Sequence, residues 1–187
     1  QARQKQGSPW PEAPGVGGLI AEMDGSMVPR VDTAALGAGP GPWDRRKTRQ
    51  LSWTEARLCL VREPGSVTPR FGATMGSVEA AGDQLWECAV AAGAGPQPRV
   101  HALGDGAPWI TAQVDRKFGT QATYLVDFYH LCDYLAAAAD VVVGPEKAAW
   151  MEEKKTWLRE NRWPEVLDTL RPSVEPESVA DKDAPVR

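Results

Sequence analysis

The chain has little of what metal-binding or redox scaffolds need. Two histidines, His101 and His130, and three cysteines, Cys59, Cys88 and Cys132, stand in 187 residues. No C-x-x-C pair occurs, so neither a structural zinc site nor a disulfide framework is expected. The odd cysteine count reads as free buried thiols in a reducing compartment, which predicts a cytoplasmic protein. No run approaches the ~20 apolar residues of a membrane helix, which excludes a helical span and a membrane partner. Gln1 to Ser8 carry no apolar stretch of the secretory kind. Positive charge is also short, with 21 Lys and Arg against 25 Asp and Glu, a net charge of -4 and pI ≈ 5.3. A module gripping nucleic acid by bulk electrostatics is usually basic, so any DNA hold of that kind lies elsewhere.

What is present is a globular composition, 42% hydrophobic and 25% charged. A chain of this length buries roughly 70% of its unfolded surface, enough for a core without staples. The 18 Gly and 16 Pro mark long connections. Residues 1–17 hold Pro9, Pro11 and Pro14 and read as an irregular lead-in. Residues 171–187, rich in Pro and acid, read as a disordered tail. The span between them, 18–170, is expected to be the folded core.

Along that core the apolar pattern changes period. Leu19 to Asp24 reads as a buried strand closed by a turn at Gly25. Gly37 to Pro42 is a loop, followed by the basic stretch Arg45, Arg46, Lys47 and Arg49. Trp53–Val61 and Arg70–Thr74 read as strands. From Ser77 to Ala92 apolar residues recur at helical spacing, with Ser77 as the N-cap and Gly93 to Pro96 as the stop. Val100–Asp105 is the next strand, and Pro108–Phe118 a short helix with proline at its start. Tyr124–Asp127 is a strand, and Phe128–Val143 an alanine-rich helix. Glu146–Asn161 forms a helix with Trp150, Met151, Trp157 and Leu158 on one side, and Pro164–Leu170 a last short one. Early strands joined by loops and later strands alternating with helices predict a mixed α/β sheet flanked by helices.

Three of these strands are expected to end on an acid: Asp24, Asp105 and Asp127. In open α/β sheets ligands collect at the carboxyl ends of strands. Asp24 and Asp105 lie 81 residues apart in the chain. On neighbouring parallel strands they would converge at one edge. Paired carboxylates repel, and a Mg²⁺ or Mn²⁺ ion between them relieves that repulsion. Two such ions about 3.5–4 Å apart serve phosphodiester chemistry, and Gly25 and Gly106 would let a phosphate backbone come close. The competing reading is simpler: Asp-Gly after a strand is a common turn.

Three blocks carry a family resemblance. Glu22-Met-Asp24-Gly-Ser-Met-Val-Pro29, Leu103-Gly-Asp105-Gly-Ala-Pro-Trp109-Ile110 and Leu125-Val-Asp127-Phe-Tyr-His130 resemble blocks of bacterial insertion-sequence transposases. The branch is the DDE type related to Mutator-like elements, with a ribonuclease H-like catalytic core. Thr48–Val61, with Trp53-Thr-Glu55-Ala-Arg57, resembles the second-strand block of that branch. The resemblance covers roughly residues 19–170, and its most specific part is the second block followed by Asp-Phe-Tyr-His.

The resemblance implies a ribonuclease H-like fold and Mg²⁺-dependent cleavage and transfer of DNA strands at transposon ends, with homodimerisation as an option. It implies Asp24 as the first catalytic acid and Asp105 as the second, both ligating metal. Asp127 and His130 match an Asp/Cys-x-x-His signature in a supporting role. The family's third acid is a Glu in a Gly-Ser-Gly-x-x-Glu-like block, and no such block occurs here. Glu146, Glu152, Glu153 and Glu165 lack that context. With no starting Met, the chain reads as a truncated transposase frame.

Alternatives remain at several residues. Asp127 could cap the following helix with His130 in its first turn, or His130 could touch substrate. Arg45, Arg46, Lys47 and Arg49 could contact phosphates or simply be a solvated loop. Trp109 could stack on bases or pack on the sheet. Two other functions compete with transposition. One is a catalytically inactive transposase remnant that only folds or oligomerises. The other is a haloacid-dehalogenase-type phosphatase, for which Glu22 stands where an Asp nucleophile is needed.

Overall fold

The computed structural model describes residues 9–32, 50–97 and 99–187. The chain divides into two compact units, Gln1–Leu125 and Val126–Arg187.

The first unit is built on a mixed five-stranded sheet. Its strands are β1 (Gly18–Asp32), β2 (Gln50–Arg62), β3 (Arg70–Thr74), β4 (Arg99–Gly104) and β5 (Ala122–Val126), in the order β3-β2-β1-β4-β5. β1 and β2 pair antiparallel from Ile20↔Arg62 to Asp32↔Gln50, and β3 adds antiparallel to β2. β4 instead lies parallel to β1, from Gly18↔Arg99 to Glu22↔Leu103. A parallel neighbour needs a crossover, and helix α1 (Val78–Ala91) supplies it between β3 and β4. Helix α2 (Pro108–Phe118) then connects β4 towards β5.

Alternation along the strands decides which face the helices cover. Leu19, Ala21 and Met23 of β1, Cys59 and Val61 of β2, and Val100 and Ala102 of β4 are all buried. They meet Ala81, Leu85, Cys88 and Ala89 of α1 and Ile110, Val114 and Phe118 of α2 in one core. Each fully buried Leu, Ile, Val or Phe contributes about 1.5–3 kcal/mol. Ser77 caps α1 by accepting the Ala80 N–H at 3.3 Å. Asp83 of α1 ties to α2 through Lys117 at 2.5 Å and Arg116 at 3.1 Å.

One expectation from sequence is corrected here. β1 does not stop at Asp24 but runs on to Asp32. Ser26 to Asp32 find partners in Gln50 to Ala56, so the chain gains ladder bonds where a turn would make one. Pro29, which argues against a strand interior, is tolerated because β4 pairs with β1 only as far as Glu22. Consequently only Asp105 and Asp127 directly follow strands, whereas Asp24 stands inside one. The lead-in is irregular in residues 9–17, yet it belongs to the core. Trp10 stacks on Trp86 at 4.8 Å and on Phe118 at 6.0 Å, and the Val16 N–H donates to the Gly93 carbonyl at 2.9 Å.

The second unit packs α3 (Phe128–Val142), α4 (Lys147–Arg159) and α5 (Trp163–Leu170) about Cys132, Leu135, Ala139, Met151 and Val166. Trp150, Trp157 and Leu158 close that core, as their helical spacing predicts. Residues 171–187 contain only single turns of helix. They are tied together by Glu175, which accepts the N–H groups of Val186 at 3.2 Å and Arg187 at 3.0 Å. Among the described residues no helix is long and apolar enough to cross a membrane.

Candidate functional site

The parallel register of β1 and β4 relates the two candidate acids, Asp24 within β1 and Asp105 just past the end of β4. The pairing Gly18↔Arg99 through Glu22↔Leu103 is unbroken. Carried two residues further it sets Asp24 level with Asp105. Asp24 lies on the opposite side of β1 from Met23, hence on the sheet face that α1 and α2 leave uncovered. Its carboxylate is exposed, and Oδ1 accepts the N–H of Gly25 at 2.7 Å. Asp105 is half-buried just beyond β4, and its Oδ1 accepts the Ala107 N–H at 2.8 Å. That Asx turn shapes the entry to α2, whose Pro108 occupies the first helical turn. The turn expected from the Asp-Gly sequence is thus observed at Asp105, with Oδ1 engaged locally just beyond the end of β4.

Gly25 and Gly104 admit close packing by side chains of the protein. A Cβ at Gly25 would collide with Glu55 Oε1 and come within 3.5 Å of Trp109 Cζ2. A Cβ at Gly104 would lie 2.7 Å from the Tyr124 hydroxyl and 3.1 Å from Ile110. That hydroxyl accepts the N–H of Gly106 at 3.1 Å, which fixes the Asp-Gly turn from β5. The space expected at Gly25 for a phosphate backbone is, on its helix-facing side, already filled by side chains of the protein.

Beneath Gly25, Glu55 and Arg57 of the second-strand block meet Trp109 in a charged and aromatic cluster that sequence reasoning did not bring together. Arg57, directly opposite Gly25 on β2, pairs with Glu55 and donates through Nη1 to the Gly76 carbonyl at 2.7 Å. Its guanidinium sits 5.5 Å from the Trp109 ring. Such a contact adds about 0.5–2 kcal/mol. Trp109 is half-buried and packs against the core, the second of the two roles open to it from sequence. The signal that could have found the cluster was the Glu-x-Arg alternation in β2, which puts both side chains on one face.

The remaining residues divide plainly. Asp127 is the N-cap of α3, accepting the N–H groups of Tyr129 at 2.9 Å and His130 at 3.2 Å through Oδ1. His130 is exposed in the first turn of that helix. Both belong to the second unit, whereas Asp24 and Asp105 belong to the first. Arg45, Arg46, Lys47 and Arg49 lie outside the described residues. Of the glutamates weighed as a third acid, Glu152, Glu153 and Glu165 are engaged by Lys155, Lys154 and Arg162.

Mg²⁺ is commonly held by one or two carboxylates, with water and substrate phosphate completing its shell. Asp24 and Asp105 are the two carboxylates the sequence offers for such an ion. Among the described residues no three His, Cys, Asp or Glu side chains gather as a metal-binding group. No protein-family model, curated protein or solved structure matches the chain.

Proposed function

We infer that this chain is a catalytic-core fragment of a DDE-type insertion-sequence transposase, with Asp24 and Asp105 as its metal-binding acids. The observation that carries the reading is the parallel β1–β4 register, which, carried two residues past its last pair Glu22↔Leu103, would set Asp24 level with Asp105 just after β4. Three antiparallel strands followed by helix-linked strands, in the order β3-β2-β1-β4-β5, support a ribonuclease H-like core. The sequence blocks around Asp24, Asp105 and Asp127 supply the resemblance that names the chemistry.

In this reading Asp24 and Asp105 hold Mg²⁺ or Mn²⁺, and the ion when bound would polarise a DNA phosphate and lower the pKa of an attacking water or 3′-hydroxyl. The chain itself supplies rigidity. Asp24 is held within a paired strand, and Asp105 is fixed by its Asx turn and by the Tyr124 hydroxyl. Asp127 organises α3 as its cap. DNA is the partner, in the cytoplasm, and its bulk electrostatic grip comes from elsewhere because the chain carries -4.

A second reading has its own support: with no third acid gathered among the described residues, the fragment is a remnant that folds and associates but does not cut. Mn²⁺ titration of the full chain, followed by electron paramagnetic resonance, tests the site. The wild type is expected to bind Mn²⁺, and Asp105→Asn to lose at least tenfold in affinity. Equal affinity in the two proteins would remove the metal site. Nicking of a DNA duplex in Mn²⁺ then separates the readings, since binding without nicking identifies the remnant.

A further inference from the structure

Gly25 follows Asp24, and Trp109 stands at the start of the helix that Asp105 introduces. The two positions touch: Trp109 Cζ2 comes within 3.5 Å of the point where a Gly25 Cβ would be. Glu55 fills the rest of that space, and Arg57 joins the parts. Its guanidinium pairs with Glu55, reaches the Gly76 carbonyl ahead of α1, and covers the Trp109 ring. One planar group thereby links β2, the entry to α1 and the entry to α2 on the helix side of the sheet. The acid pair lies at the same level, with Asp24 on the far side of β1. Along the backbone Asp24 stands one residue before Gly25, and Asp105 four residues before Trp109.

We propose that Arg57 and Trp109 are positioning residues that set the spacing between Asp24 and Asp105. The inference rests on the metal-binding reading above and extends it to side chains that touch neither metal nor substrate. Supporting shells of this kind govern how well a ligand pair is held, and their loss commonly costs about 10–100-fold in metal affinity. Lysine at position 57 would keep the charge beside Glu55 but not the planar cover over Trp109. Phenylalanine at position 109 would keep a ring under the guanidinium.

The test uses the full chain with Mn²⁺ alone as probe, read by electron paramagnetic resonance, with thermal midpoints measured alongside. Arg57→Gln and Trp109→Ala are each expected to weaken Mn²⁺ binding about tenfold. Trp109→Phe should remain within about threefold of wild type, a rescue that a ring-dependent clamp requires. Should Trp109→Ala fail to fold, Trp109→Leu takes its place, with the same loss expected. Wild-type affinity in Arg57→Gln and in the aliphatic Trp109 variant, with Asp24→Asn binding abolished, overturns the clamp and leaves the metal site standing. Wild-type affinity in Asp24→Asn and Asp105→Asn as well overturns both.

Discussion

Two residues in this protein are defined by neighbours that no local pattern announces. Lys154 is 3% exposed, yet it is a lysine in the core of the second unit. Its ammonium lies 3.5 Å from the centre of the Trp157 ring, 5.5 Å from that of Trp150, and donates to Glu153 at 2.6 Å. Two π faces and a carboxylate thus replace the water it gives up. Cys59 shows the converse case, a thiol held neutral. Burial, and then the nearby Cys88 sulfur at 3.9 Å, push its pKa from 9.0 up to about 12. Folding therefore favours the protonated thiol. Its stabilisation is complete below pH 9 and is lost as pH rises through about 12. The melting temperature of wild type is expected to fall more steeply above pH 9 than that of Cys59→Ala. Parallel slopes in scans from pH 8 to 10.5 would contradict this. Iodoacetamide should label neither Cys59 nor Cys88 in the native protein at pH 8.

At the scale of elements, most boundaries were legible because local chemistry and burial agree. Ser77 as N-cap, Pro108 at a first turn and the glycines after α1 each act within a few residues, and the helices begin and end where these signals stand. β1 was misread because Asp24-Gly25 is a turn signal in isolation, and only pairing with Gln50–Leu58 overrides it. The Asp24–Asp105 register was open to inference from two strand-end acids, but whether the strands adjoin depends on the crossover through α1. The Arg57–Trp109 contact joins side chains from different elements and left only a faint trace, two alternating residues in a strand. Asp127 combined both kinds of signal, and its capping role is now visible in two N–H bonds. Replacing it by Ala should cost about 1 kcal/mol, while Ser should cost little. Urea denaturation of the two variants measures the difference. Equal losses would mean that the carboxylate serves something other than the helix end.

For the molecule as a whole, the lead-in from Pro9 and the C-terminal segment each pack within their own unit. Trp10 reaches back to Trp86 and Phe118 in the first. In the second, Arg187 donates to the Pro176 and Val179 carbonyls, while Ala184 is buried. Composition marks both segments as loose, since proline and polar residues dominate them, but composition does not register one well-placed ring or guanidinium. Trp10→Ala is expected to destabilise the protein by about 3 kcal/mol, the cost of removing a large aromatic from a core rim. Differential scanning calorimetry would register this, and an unchanged transition would show that the lead-in is dispensable.

The unequal strand lengths carry a last consequence. Between Met23 and Asp32, β1 has β2 on one side, while β4 has already ended at Gly104 on the other. Among the described residues no strand pairs with that flank, and an unpaired flank is the kind of edge on which a foreign strand can add. Pro29 stands in the middle of it, and proline is a residue that edge strands use against pairing. The imide that looked like a fault in the strand is then its guard against polymerisation.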